Sequence, residues 1–484
     1  MKARPSKWKS ASIVIILALG LIGGTILYLV RQPVNPIHPA LDRLAAMELS
    51  KRWADPDLLK IRAMGEQGVE YLRRVIREKE SVRTRVLLWV GGKWTEAPKY
   101  IPNYPDLKKM DERRWVACQV IQTLGPAGRR AMAELVTAME KGDISTVNGV
   151  SMALNAIGVD TDMVKLLLPA LERGAPESSQ SQMIWMLARV KPATERTVKY
   201  LTSALNHKSA YVQQAAVSSI STLKISNPEV LAGLKRLQSE GTLNSLRVEA
   251  SSALWELNKN REEVLGATVA LIEGELRTYK GASWHGSGGA GVDEVEETIC
   301  GTGDLWARMK LEGADQERAL KLLNDFCRKS QRIFIRMILL PSMMDLGLDM
   351  GEGLAVCREG MSAPEDYYRI QGAKLMVQLS DRATIEEKYV DEMLENSEVG
   401  VRVYGAKVHW KMHRDAAKVL PVLIDALDRK KYQSYYYPEI QGTVLTTLKD
   451  MGPEAAPARK QLEELRTDPN PEVVKMVNEI LTER

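Results

Sequence analysis

Aromatic residues are scarce in this chain: they make up 6% of its 484 residues, and only two are Phe. Sheet cores rely on aromatic and β-branched side chains, so this composition disfavours a β-sandwich. The abundant Leu, Ala, Met and Val instead suit aliphatic ridges between helices. Cysteine is also thin, at four residues with no Cys-x-x-Cys, which removes zinc knuckles and thioredoxin-type redox chemistry. Histidine occurs five times, with no plausible triad around any of them. A strongly basic domain is missing too. The net charge is +5, of which Lys2, Arg4, Lys7, Lys9 and Arg31 supply as many positives before residue 41, and this weak balance argues against a nucleic-acid partner.

What is present is a repeat. An Arg–apolar–x–small tetrad reads Arg114-Trp115-Val116-Ala117, Arg247-Val248-Glu249-Ala250, Arg369-Ile370-Gln371-Gly372 and Arg402-Val403-Tyr404-Gly405. The last two are 33 residues apart, and the first two are separated by about four such steps. Stepping by 33 from Arg114 lands on Val147, Gln180 and Gln213, each opening a similar apolar pattern. Self-similarity at this length is the signature of a solenoid. The fold class is therefore all-α: a solenoid of antiparallel helix pairs with a period of about 33 residues. In the pair beginning at Arg247, a first helix runs to Leu257. Asn258-Lys259-Asn260 breaks it, and Glu262 to Leu276 forms the second helix. Gly125-Pro126, Gly158, Gly174 and Gly452-Pro453 mark helix stops, while Asn227-Pro228 and Asn470-Pro471 mark starts. The tetrad's small residue permits close packing. Its Arg is expected at the helix start on an exposed edge, pairing along the stack.

Only one long apolar run exists. Ala11 to Val30 is twenty residues without a charge, about 30 Å of helix, enough to cross a bilayer. Basic residues precede it, so the N-terminus is placed in the cytoplasm and the rest of the chain outside. A cleaved signal peptide is the alternative, but Tyr28-Leu29-Val30-Arg31 is a poor cleavage site. The organisation reads as a basic tail (1–10), a single-pass signal anchor in the cytoplasmic membrane (11–30), and a Pro-containing linker (31–49). A first repeat block (50–277), a Gly-rich and acidic loop (278–309) and a second repeat block (310–484) follow, in the periplasm or outside the cell. In an oxidising compartment Cys300 could pair with Cys327 or Cys357, whereas Cys118 reads as a small core residue.

Leu168-Pro169-Ala170-Leu171 and Leu420-Pro421-Val422-Leu423 resemble the second-helix motif of HEAT-repeat proteins, and Val401-Arg402 with Gly405-Ala406 resembles the first-helix motif. Residues 61–86 resemble the N-terminal unit of membrane-anchored bacterial HEAT-repeat proteins of uncharacterised function. The resemblance covers roughly residues 50–275 and 310–484. It implies a scaffold or adaptor that binds a protein or peptide, with no catalytic residue, metal or cofactor. It also brings two enzymatic alternatives, since some HEAT relatives are bilin lyases or DNA glycosylases, and a third reading is a tether between membrane and envelope.

Candidate partner contacts are Trp115, Trp185, Trp255, Tyr404 and Trp410, all equally credible as core, with Tyr435, Tyr436 and Tyr437 in a helix-to-helix loop. Two further loops, over 91–110 and 278–309, are candidate binding elements. Gly286-Ser287-Gly288-Gly289-Ala290-Gly291 fits G-x-G-x-x-G, but it lacks the flanking strand and leads into acidic residues, so a dinucleotide site is rejected. His409 and His413 share a helix face as metal-ligand pairs do, but Trp410 stands where a zincin needs Glu and no third ligand is evident, so no metal is assigned.

Overall fold

The computed structural model describes residues 35–47, 55–93, 101, 104–142, 144–279, 293–330, 332–428, 437–468 and 471–482. Among them every regular element is helical. The chain divides into two compact units, one of Met1–Gly241 with Glu256–Asn258, the other of Thr242–Trp255 with Lys259–Arg484.

In the first unit, α1 (His38–Ala46), α2 (Pro56–Ala63), α3 (Gly65–Ile76) and α4 (Val82–Lys93) precede four helix pairs. These are α5 (Leu107–Leu124) with α6 (Met132–Lys141), α7 (Ile144–Ile157) with α8 (Thr161–Glu172), α9 (Glu177–Leu187) with α10 (Glu195–Ala204), and α11 (Ala210–Leu223) with α12 (Pro228–Glu240). The first helices α5, α7, α9 and α11 pack side by side as one row; in the other row α6 packs on α8, and α10 on α12. Between the rows lies the core: Ala117, Val120 and Ile121 of α5, Val150, Ala153 and Leu154 of α7, and Leu167 of α8 are buried. Each large aliphatic side chain so placed contributes roughly 1.5–3 kcal/mol.

The boundary between units falls within α13 (Asn244–Asn258). The second unit continues with α14 (Arg261–Thr278), α15 (Glu294–Met309), α16 (Gly313–Ser330), α17 (Ile333–Asp345), α18 (Met350–Met361), α19 (Asp366–Ser380) and α20 (Glu387–Leu394). It ends with α21 (Val399–His413), α22 (Ala416–Asp425), α23 (Tyr437–Met451), α24 (Arg459–Glu464) and α25 (Pro471–Thr482). Here α15, α17, α19, α21, α23 and α25 form the first-helix row.

Local chemistry sets these boundaries. Asp160 accepts from the backbone N–H of Asp162 and Met163, and Asn227 from that of Val230, satisfying donors that the first helical turn leaves free. At Gly125 and Gly452, both with φ +55, the chain leaves a first helix and enters a 3-10 segment, Gly125–Ala131 and Gly452–Ala458. Lys224, Lys259, Lys310 and Arg414 end α11, α13, α15 and α21 in the left-handed region, where a basic side chain complements the helix C-terminal dipole.

Two expectations are corrected. The tetrad Arg is not a solvent-edge residue: Arg114 is buried within α5, and Arg369 and Arg402 are half-buried. Arg369 donates to the carbonyls of Ala363 and Pro364, and Arg402 to those of Asn396 and Ser397, six and five residues upstream in each case. The guanidinium therefore ties down the turn that leads into its own helix. Gln180, which departs from the tetrad, does the same by donating to the Ala175 carbonyl at 2.6 Å. The second correction concerns the expected loop over 278–309. Residues Glu294–Met309 are helix α15, opened by a capping box in which Asp293 and Glu296 serve each other's backbone N–H. Its Trp306 is fully buried and donates to Thr268 at 2.9 Å.

Residues 11–30, assigned to the anchor, lie outside the described residues, as do 280–292 of the Gly-rich segment. Among the described residues no helix is long and apolar enough to cross a membrane.

Candidate functional site: the first-helix face of the first unit

Helices α7, α9 and α11 carry one charged side chain between them, Glu177 at the start of α9. Their outward positions are uncharged: Asn148, Met152 and Asn155 on α7, Trp185 on α9, Tyr211 and Ser218 on α11, all exposed. Met152 and Trp185, 49% and 43% exposed, sit 33 positions apart on helices that pack against each other, so the repeat itself sets them in equivalent places. On α5, Trp115 is half-buried and packs on Gly149 of α7, where a Cβ would come within 2.6 Å of its ring. A small groove of about 220 Å³ opens beside it, lined by Asp111, Glu112, Arg114, Trp115, Cys118 and Thr146.

The opposite row is ionic. Arg73 pairs with Glu134, Arg130 with Glu66, Arg129 with Asp160 and Asp162, and Arg173 with Glu140 in a bidentate fork at 2.7 and 2.8 Å. Arg196 pairs with Glu172. The guanidiniums hold the carboxyls of Glu140, Asp160 and Glu172 below their usual range, so the row stays ionised at neutral pH. Charged partners would meet satisfied charges there. The first-helix face offers apolar area and amides instead, of which Asn155 accepts from the Arg189 guanidinium just after α9.

Residues 164–255 match the family model for HEAT repeats, a stretch that runs from within α8 into α13. Residues 164–255 therefore carry HEAT repeats. Its fold is similar to that of solved solenoid structures. One is importin beta, at 11% identity over 93% of this chain and 72% of that chain, with a TM-score of 0.37. A second is the karyopherin Kap121p bound to the SUMO protease Ulp1p, at 12% identity over 93% of this chain and 53% of that one, TM-score 0.32. A third is the S. pombe condensin Cnd3–Cnd2 subcomplex, at 11% identity over 94% and 75%, TM-score 0.27. No curated protein sequence matches the chain.

The helix array distributes the expected contact residues unequally. Trp185 is exposed, Trp115 is half-buried, and Trp255 is half-buried under the Lys259 ammonium, 4.8 Å from its ring centroid. Tyr404 and Trp410 belong to the core of the second unit and cannot serve as surface contacts. Tyr404 donates to Glu439 at 3.1 Å and Trp410 to Asp450 at 2.8 Å. Their tetrad-like spacing reads equally as core, and helix packing decided it. Tyr435 and Tyr436 lie outside the described residues, and Tyr437 opens α23. The loop expected over 91–110 is bounded by α4, which runs to Lys93, and α5, which starts at Leu107; most of what lies between is outside the described residues.

The cysteines are free: Cys118 and Cys357 are buried, Cys300 and Cys327 half-buried. Burial pushes the thiols of Cys118, Cys300 and Cys357 up to about 12 and that of Cys327 to about 11, so none is a thiolate at neutral pH. That removes a reactive cysteine, one of the two features on which a lyase reading could rest, the other being an acidic pair in the groove, which Asp111 and Glu112 line.

One grouping was missed. His409 and His413 do face one side of α21, and the structure supplies a carboxylate partner, Glu387, from the start of α20. Glu387 lies 22 residues before His409, a separation that belongs to no ligand motif, so only tertiary packing reveals it.

Proposed function

We propose that the protein is a membrane-anchored HEAT-repeat scaffold that binds a protein or peptide on the extracytoplasmic side, with no catalytic activity of its own. The observation that carries the binding reading is the nearly charge-free first-helix face of the first unit. It exposes Met152, Trp185 and Tyr211 beside Asn148 and Asn155, while the opposite row neutralises its own charges. Apolar anchors set among amides suit a polypeptide: aromatic burial supplies affinity, and amide side chains pair with a backbone that carries both donors and acceptors. The anchored, extracytoplasmic placement rests on the uncharged run Ala11–Val30 with Lys2, Arg4, Lys7 and Lys9 before it.

The test is in-cell cross-linking of the full chain followed by mass identification, comparing the parent with Trp185→Ala. A dominant protein partner whose recovery falls with Trp185→Ala supports the reading. Equal recovery from both moves the contact off this face. Recovery of cell-wall material alone favours an envelope tether. An alkaline phosphatase fused after residue 40 is expected to be active outside the cytoplasm, and activity of a cytoplasmic reporter there instead would reverse the topology.

A further inference from the structure

We propose that Glu387, His409 and His413 form a binding site for one transition-metal dication of the zinc class, with Asp415 orienting His409. Three segments meet there: the start of α20, the last turn of α21 and the start of α22. His413 Nε2 is 2.6 Å from Glu387 Oε2, His409 Nδ1 is 3.6 Å from Glu387 Oε1, and the two imidazole centroids are 4.6 Å apart. All three ligand atoms lie within 4.8 Å of one another. Bonds of about 2.1 Å set tetrahedral ligands about 3.4 Å apart, so closure on an ion needs side-chain movements of about 1 Å.

The second observation is independent of this clustering. His409 is 3% exposed, yet neither of its ring nitrogens makes a hydrogen bond. Buried polar groups normally find partners, and leaving one unpaired is costly. A bound dication removes both deficits. It takes the Nδ1 lone pair, and the Nε2–H that remains points toward Asp415 Oδ2, now 3.9 Å away. A carboxylate behind a ligating imidazole fixes its tautomer and raises its basicity.

Lys418 Nζ stands 3.6 Å from Glu387 Oε1 and is the cation a metal must displace. It already pairs with Asp391 at 2.6 Å, so Asp391 retains it when Glu387 turns to the ion. Arg414 is committed to Asp450 at 2.8 Å. Two imidazoles and one carboxylate select zinc, cobalt or nickel over magnesium or calcium, which prefer all-oxygen shells.

The experiment is a titration of the full chain, stripped with chelator, with Zn2+ salt by calorimetry and with Co2+ salt by visible absorption. One Zn2+ per chain with a micromolar or tighter Kd is expected, with Co2+ bands characteristic of nitrogen ligation. His413→Gln and Glu387→Gln should each weaken binding by ~100-fold. Both positions are exposed, so an unchanged melting temperature of these variants in chelator separates lost ligation from lost folding. The buried His409→Ala serves as a confirming variant only. Absence of stoichiometric Zn2+ uptake, or uptake unaffected by both His413→Gln and Glu387→Gln, overturns the proposal.

Discussion

Replacing Gly405 by Ala probes how closely paired helices approach. An added Cβ would stand 2.7 Å from Met393 Cβ and 3.1 Å from the Leu394 backbone nitrogen. Two of its three nearest atoms belong to the α20 backbone, so α20 as a whole must retreat by about 1 Å. Overpacking of this kind costs about 1–3 kcal/mol, while Ala gains about 1 kcal/mol over Gly in helix propensity. The net expectation is a loss of about 1 kcal/mol, and of 3 kcal/mol or more for Gly405→Leu, at roughly 2–4 °C of melting temperature per kcal/mol. Gly266→Ala is the matched control. It lies mid-helix in α14 with nothing within 4 Å of the new Cβ, so only the propensity gain applies and the melting temperature should rise. Thermal melts followed by far-ultraviolet circular dichroism decide between them. If Gly405→Ala raises the melting temperature as Gly266→Ala does, the close approach of α20 and α21 is not present in solution.

Arg402→Met keeps the aliphatic stem but leaves the Asn396 and Ser397 carbonyls without their donor, for an expected loss of about 1–3 kcal/mol in urea unfolding. Gln180→Leu should act in the same direction through Ala175, and neutrality of both would refute the turn-tying role. His38 provides a pH test. Burial and Arg113 lower its imidazole from 6.5 to about 4. Between those values the unfolded chain binds a proton that the folded chain refuses, so stability present above pH 6.5 is lost as pH falls toward 4, by about 3 kcal/mol in all. Glu78, raised by burial, slopes the other way where it titrates, so the His38→Gln difference profile isolates the ring; parallel profiles would sink the assignment.

The helix pairs and many of their ends were legible because they rest on local chemistry: Gly158 and Gly174 take positive φ where stops were read, and Asn227 caps α12. The hidden helix α15 illustrates where local reading fails. The Gly-rich run before it and Gly301 and Gly303 within it signal a loop. Gly303 instead sits where an added Cβ would come 3.1 Å from Leu339, and the Asp293–Glu296 capping box was there to be read. The role of the tetrad Arg was not legible, because its acceptors are backbone carbonyls that carry no residue identity. The Glu387 grouping was invisible for a related reason: it depends on which helix ends meet.

The ion pairs of the first unit carry a consequence for how such a chain changes length. Glu140 pairs with Arg173, and Arg129 with Asp162, each across a separation of 33 residues. The two partners of each pair therefore occupy the same place in successive segments, as a base in one and an acid in the other. Duplicating one such segment would set Asp against Asp, or Arg against Arg, at these places, and excising one would bring together residues that are not partners. The alternation of sign therefore holds the order of these units as well as their phase, so that the opposite face keeps its width unless the interfaces beneath it are redesigned.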